Sequence, residues 1–476
     1  MRMRNKLSYF LLGLFITISV HLSAQVTYWG LTSKGGDNDV GTVYFTDEEG
    51  THNTVIHSFS YGEGDSPVGM LTLGTDDQLY GTTPGANIDY GVIFQIDPHN
   101  FQYQKMYSFS GGNKGMYPTG FLLAHANGNI YGMTRNGGED QSGTIFEYTP
   151  GSTDIIIKKH FTGDDGAHPE GGLLLANNGL LYGVTSYGGE NNSGVIFSFD
   201  PATEDYEKLF DFGPLSGAIP VCSLLQASNG KLYGVTPKGG TSNAGVLFEY
   251  DIISETYTKL VDFDGINTGS EPVGSLTETA DGLLYGITKQ NEIAETNTHG
   301  TIFSYDIINY RLNRLYVFDG TSGSSPTGSL LQVDDYRLIG VTDKGGLTND
   351  GVRFEYNIES NNFTKKIDFN GNNGSMPVYS KLLKVVNVGI EDKIVNLNIS
   401  VYPNPASDKL NIRIKNEKTN RINYAVADLL GKKVLEGTLY GTGTFILDME
   451  ALSSGTYLLH VSVGNATLTK KITVRN

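Results

Sequence analysis

The sequence predicts an all-β protein: a seven-bladed β-propeller closed by a C-terminal strand, followed by a small β-sandwich. The first observation behind this is a repeat. An aromatic-Gly pair recurs as Trp29-Gly30, Tyr80-Gly81, Tyr131-Gly132, Tyr182-Gly183, Tyr233-Gly234 and Tyr285-Gly286, with Ile339-Gly340 as a degenerate seventh copy, at intervals of 51, 51, 51, 51, 52 and 54 residues. A period of about 50 with strand-like content is the size of one four-stranded blade, whereas solenoid repeats are usually shorter. The second observation is that other columns keep the same register. Phe59, Phe109, Phe161, Phe212, Phe263, Phe318 and Phe369 close the last strand of each unit, and Pro67, Pro118, Pro169, Pro220, Pro272, Pro326 and Pro377 end the loop that follows. Proline suits a crossover between blades, where no ladder donor is needed. The third is composition: 61 Gly and 15 Pro with 18% charged residues fit many short strands joined by tight turns.

Each unit reads as four strands bounded by Gly, Asn, Asp or Pro, and in the fourth unit these are Gly172 to Ala176, Leu181 to Ser186, Gly194 to Asp200 and Tyr206 to Phe212. Alternation puts Tyr182 and Val184 on one side of their strand and Gly183 and Thr185 on the other. The glycine column is expected to leave room for an aromatic from the adjoining blade, each such burial contributing about 2 kcal/mol. Thr32, Thr83, Thr134, Thr185, Thr236, Thr288 and Thr342 form one more column, read as structural strand residues rather than a ring of hydroxyls lining a channel.

The ends of the repeat predict how the ring closes. The first unit begins at Tyr28 with the aromatic-Gly strand and lacks the strand that should precede it, while the last unit runs on into Ser380 to Val386, a strand of that missing kind. Pairing the two ends removes an open edge. The connections after the aromatic-Gly strand and between blades are long and fall on one face of the disc, which is where a ligand site is expected. Their Gly-Gly pairs read as turn formers, since no lysine-serine/threonine follows to make a phosphate cradle.

The domain reading is a signal peptide over 1–24, the propeller over 25–386, a linker over 387–400 and a β-sandwich over 401–476. Arg2, Arg4 and Lys6 precede the apolar stretch Tyr9 to Val20, and Ser23-Ala24 offers a cleavage point before Gln25. That stretch is too short to span a bilayer comfortably, and no other segment is apolar enough, so no transmembrane span is expected. The single cysteine, Cys222, excludes an internal disulfide despite an oxidising destination and reads as buried core. A net charge of −17 repels phosphate backbones, so nucleic acid is not an expected partner.

No catalytic constellation is identified: there is no GxSxG elbow and no electropositive setting for Cys222. The nine histidines have no metal-ligand spacing, so neither a metal nor a cofactor is assigned. The leading expectation is a monomeric binding or interaction module. Its loop face is rich in Gly, Asn, Ser, Thr and Asp, and Tyr90, Tyr117 and Tyr187 are available to stack on a glycan or contact a peptide. His168, Glu170, His299 and Arg353 join them as candidate binding residues. The alternative is a secreted polysaccharide-degrading hydrolase or lyase whose residues break the repeat symmetry: Glu292, Glu295, His299 and Arg353, with His168 and Glu170. It requires these side chains to converge at the channel mouth.

Two resemblances rest on motifs. The recurring LYG-x-T-x-x-GG and G-x-[IV]-F patterns between Tyr28 and Val386 resemble the Gloeobacter/Verrucomicrobia-type tandem repeat and are distantly similar to kelch blades. That family implies fold and little else. The sixth unit departs from it by replacing the Gly-Gly turn with Lys289 to His299, and Arg353 stands where other units have Val, Ile or Leu. The C-terminus, with Tyr402-Pro403-Asn404-Pro405, the Asp428 to Lys432 turn, Gly455, Tyr457 and the ending Lys470-Lys471-Ile472, resembles the type A sorting domain of the type IX secretion system of Bacteroidota. The resemblance implies a partnership with the outer-membrane secretion machinery, export, and release or attachment at the outer-membrane surface.

Overall fold

The computed structural model describes residues 25–47, 49–51, 53–85, 90–290, 299–387, 399–402, 406–414, 422–427, 432–439, 443–463 and 466–475. The leader expected over 1–24 lies outside them. The chain forms two compact units, Thr27–Val385 and one that holds Val386–Asn476.

The larger unit is a succession of four-stranded antiparallel sheets, seven among the described residues, numbered here in chain order. The fourth is representative, with Leu174–Leu175, Leu181–Thr185, Val195–Phe199 and Tyr206–Asp211 side by side. The first sheet is assembled differently: Gln25–Thr32, Thr42–Thr46 and Asn53–Ser58 are preceded in strand order by Leu383–Asn387 from the other end of the repeat. Thr27 Oγ1 donates to Val385 O at 3.5 Å across that seam.

The innermost strand is shorter than expected. It is a two-residue ladder in the second, fourth, fifth and seventh sheets. The residues ahead of it bond sideways to the next unit: Gly172 N donates to Ser223 Oγ at 2.6 Å, and Ser223 N to Ser275 Oγ at 3.2 Å. Inner segments approach so closely that a Cβ on Gly120 would lie 2.1 Å from Gly171 O.

The glycine column makes room for an aromatic ring, but from its own sheet. Gly183 lies directly opposite Phe197, and a Cβ on it would meet Phe197 Cζ at 2.4 Å. Alternation fixes only the face of a strand; the ladder register decides whose ring covers it. The neighbouring sheet then packs on that same ring. Phe161 of the third sheet meets Phe197 edge-on with centroids 5.5 Å apart, and Phe109–Phe146, Phe212–Phe248, Phe263–Phe303 and Phe318–Phe354 repeat the contact at 5.2–5.4 Å. The hydrophobic clusters accordingly span successive sheets, as where Met133 and Ile145 of the third share one cluster with Leu181 and Phe199 of the fourth.

The threonine column is buried, and the hydroxyls of Thr32, Thr185, Thr236, Thr288 and Thr342 each donate to a carbonyl two residues on at 2.8 Å. A column unnoticed in the sequence precedes the prolines. Ser66, Tyr117, His168, Ile219, Glu271, Ser325 and Met376 all take left-handed φ between 49° and 59°. Such backbone costs about 1 kcal/mol or more per residue. Each N–H compensates by donating to a carbonyl of the preceding unit, as His168 N does to Ser142 O at 2.7 Å.

In the smaller unit a three-stranded sheet (Ile399–Tyr402, Lys409–Ile414, Gly443–Asp448) and a four-stranded one (Lys433–Leu439, Ile422–Ala427, Gly455–Val463, Ala466–Val474) share one core. Leu410, Ile412 and Leu447 of the first pack with Val426, Leu459 and Ile472 of the second.

Candidate functional site

Two cavities meet at Arg135. The inner one, about 260 Å³, is lined by inner segments of every sheet of the larger unit, including Gly69, Thr119, Gly171, Cys222, Ser275, Ser329 and Tyr379. Small residues such as Gly171, Gly274 and Ser329 share its wall with the larger Phe121 and Tyr379. The outer one, about 560 Å³, opens between the third and fourth sheets beside Asp164, His168, Tyr187 and Asn192.

Arg135 follows Thr134 at the end of its strand, a position occupied elsewhere by Ser33, Pro84, Ser186, Pro237, Lys289 and Asp343. Its Nε donates to Glu170 Oε1 at 2.7 Å and its Nη1 to Asn136 Oδ1 at 3.3 Å. Its carbonyl lies 3.0 Å from His168 Nδ1, and since a carbonyl only accepts, that nitrogen carries the hydrogen and Nε2 of the neutral ring is an acceptor. Ala167 and Tyr187 exchange two backbone hydrogen bonds at 2.8 and 2.9 Å, and the Tyr187 ring meets His168 edge-on at 5.8 Å.

Of the residues singled out from sequence, His168, Glu170 and Tyr187 are thus brought together. Tyr90 and Tyr117 form a separate edge-on pair at 6.1 Å between the second and third sheets. His299 stands apart, its Nδ1 3.1 Å from Ser324 Oγ. Glu292 and Glu295 lie outside the described residues. Arg353 requires a correction. It is 1% exposed, it does not reach the loop face, and Nη1 donates to Gly50 O in the first sheet at 3.0 Å. The polar residue in an apolar column serves the contact between the seventh sheet and the first.

Sequence reasoning passed over Arg135 and Asp343. Asp343 is 6% exposed, and both carboxylate oxygens accept from Thr327 Oγ1, at 2.7 and 2.9 Å. Burial pushes its carboxyl up to about 7, against the lesser pull of Thr327, Lys289 and Lys344. The signal that could have found both is the position after each column threonine, which varies from unit to unit and carries charge at Arg135, Lys289 and Asp343. Cys222 is 2% exposed, and burial pushes its thiol up to about 11, which leaves it unreactive. Among the described residues no group of three or more His, Cys, Asp or Glu could hold a metal ion, and no helix is long and apolar enough to cross a membrane.

In the smaller unit Tyr402 ends its strand 43% exposed, while Pro403, Asn404 and Pro405 lie outside the described residues. Gly455 opens the strand that carries Tyr457, whose hydroxyl donates to Ser453 O at 2.9 Å, and Lys470 and Lys471 are exposed on the last strand.

Fold and repeat together define an all-β protein of many four-stranded sheets with propeller-like structural neighbours. Crystal structures of proteins provisionally described as 6-phosphogluconolactonases from Bacteroides fragilis and Bacteroides uniformis are similar to it, at TM-scores of 0.52 and 0.51 and identities of 16% and 14%. Each alignment covers 76% of this chain and 99% of the other, and at that identity the likeness is one of fold. A search of curated proteins finds no match. Residues 118–295 match the Gloeobacter/Verrucomicrobia repeat, and residues 400–475 match the secretion system C-terminal sorting domain. The chain therefore carries a type IX sorting domain, which directs export and places the protein in the medium or attached at the cell surface.

Proposed function

We infer that the exported protein is a monomeric seven-bladed β-propeller, closed into a ring by Leu383–Asn387, that binds a glycan or peptide on the face where the long loops lie. Residues 1–24 act as its signal peptide, 387–400 as a linker and 401–476 as the address read by the secretion machinery. The observation that carries the binding reading is the convergence of Arg135, His168, Glu170 and Tyr187 on two adjoining cavities. Hydrogen-bonding groups of both kinds beside an aromatic ring suit a polar ligand with an apolar face. No observation among the described residues favours the hydrolase or lyase: Arg353 is buried and Glu170 is held by Arg135. The test is a glycan array together with a pull-down of surface polymers and peptides, using the folded full chain. Saturable capture that is lost on heating is expected, and blanks in both remove the reading.

A further inference from the structure

We propose that the outer cavity between the third and fourth sheets is a subsite for one uncharged sugar ring, held between Arg135, Asp164, Asn192 and the Tyr187 ring. This rests on the binding-module reading and deepens it.

The argument is an inventory of unused hydrogen-bonding capacity. The Arg135 guanidinium is pinned by Glu170 at Nε and touches Asn136 through Nη1, which leaves Nη2 as a donor with no partner among the described residues. The Asn192 side chain accepts from Gly188 N at 3.0 Å through Oδ1, so its amide N–H groups remain available. On the acceptor side stand the Asp164 carboxylate and His168 Nε2. Asp164 is exposed, and among the described residues only its backbone carbonyl is engaged, by Lys208 Nζ at 3.3 Å. Residues carrying free donors and free acceptors thus line a space of about 560 Å³, within the roughly 300–1,000 Å³ usual for small-molecule sites. Hydroxyl groups, which donate and accept at once, satisfy both kinds; a carboxylate ligand satisfies only donors and an ammonium only acceptors.

Charge points the same way. The cavity lining holds one cation and one anion, Arg135 and Asp164, and Glu170 already neutralises the guanidinium from the side of the inner cavity. An acidic ligand would have to compete with Glu170 and lie against Asp164, on a chain of net charge −17. Tyr187 supplies the apolar surface that the C–H face of a sugar ring requires, and its backbone bridge to Ala167 fixes its position before binding.

The test uses the full chain against neutral hexose- and pentose-based oligosaccharides, uronate-bearing and sulfated ones, and extended peptides, followed by calorimetry on whatever binds. A neutral oligosaccharide is expected, with affinity falling about tenfold or more in both Asp164→Ala and Tyr187→Ala, and changing less than about twofold between low and high salt, since no charged contact is screened. Thermal melting of each variant separates lost contacts from lost structure, and the exposed Asp164→Ala arm stands even where Tyr187→Ala unfolds. Neutral binding left intact by Asp164→Ala, or binding confined to acidic ligands or peptides, overturns the proposal while leaving a binding module. An array blank for every class overturns the binding reading and this proposal together.

Discussion

The rings of Tyr44 and Phe369 meet edge to face, centroids 5.4 Å apart and planes at 69°. Residue 44 lies opposite Gly30 in the first sheet, and residue 369 closes the seventh. Together with Phe59–Phe94 at 5.2 Å, this makes the interface between the last sheet and the first the same in kind as every interface between consecutive ones. Phe369→Ala should therefore cost as much as an interior position, about 3–5 kcal/mol for a fully buried phenylalanine. Equilibrium denaturation of Phe369→Ala beside Phe212→Ala checks this; a cost near zero at position 369 alone would mean that the two ends do not pack.

Tyr44 also carries a buried hydroxyl with no hydrogen-bond partner among the described residues, where the other six units have phenylalanine. Burial drives its pKa well above the ordinary range, which reports the same desolvation. Tyr44→Phe should leave the fold intact and stabilise it by about 1 kcal/mol, because removing an unsatisfied buried hydroxyl relieves its desolvation cost. Denaturant midpoints would reveal it, and a loss of stability would require an unseen partner for the hydroxyl.

Arg353 and Gly50 should be coupled. A Cβ on Gly50 would lie 1.5 Å from Arg353 Nη1, and its φ is +65°. Gly50→Ala should cost about 2 kcal/mol or more, combining that clash with left-handed strain of about 1 kcal/mol. In an Arg353→Ile background, which restores the aliphatic residue of the other units, only the strain should remain. A double-mutant cycle measures this, and strictly additive effects would refute the contact.

Asp343 makes stability fall as pH rises. Its carboxyl is raised to about 7 in the folded chain, against about 3.9 unfolded. Between these values the folded state binds more protons than the unfolded, so stability declines from about pH 4 to 7 and stays lower above. Lys289 and Lys344, which face it, limit the loss. Asp343→Asn keeps an acceptor for Thr327 and should remove this decline, becoming more stable than the parent by roughly 2–4 kcal/mol at pH 8 and by little at pH 4. Parallel melting curves across pH decide the matter.

What was legible in the sequence follows from what repeats. The aromatic-Gly, proline and threonine columns recur because each blade solves one packing problem with the same residues, and the sorting motifs are similarly plain. What was not legible depends on register and on partners distant in sequence. Alternation puts Gly183 on a face but does not say that Phe197 of its own sheet covers it. Arg353 breaks its column on account of Gly50, and a broken column looks the same whether the cause is a ligand or a packing contact. Tyr117 and His168 were noticed for their side chains, yet the placement of each is set by the left-handed backbone they share with Ile219 and Met376. Arg135 was missed because its position varies too much to register as a column.

The central claim, that the repeat is a ring completed by its own last strand, is tested most directly by thermal melting of two shortened chains. One ends after Asn387, and the other after Tyr379, which removes the strand beside Gln25–Thr32. The first should melt in a single cooperative transition. The second should lose cooperativity or melt at least about 10 °C lower, since an unpaired edge and an open ring remain. Superimposable transitions for the two chains would contradict the account.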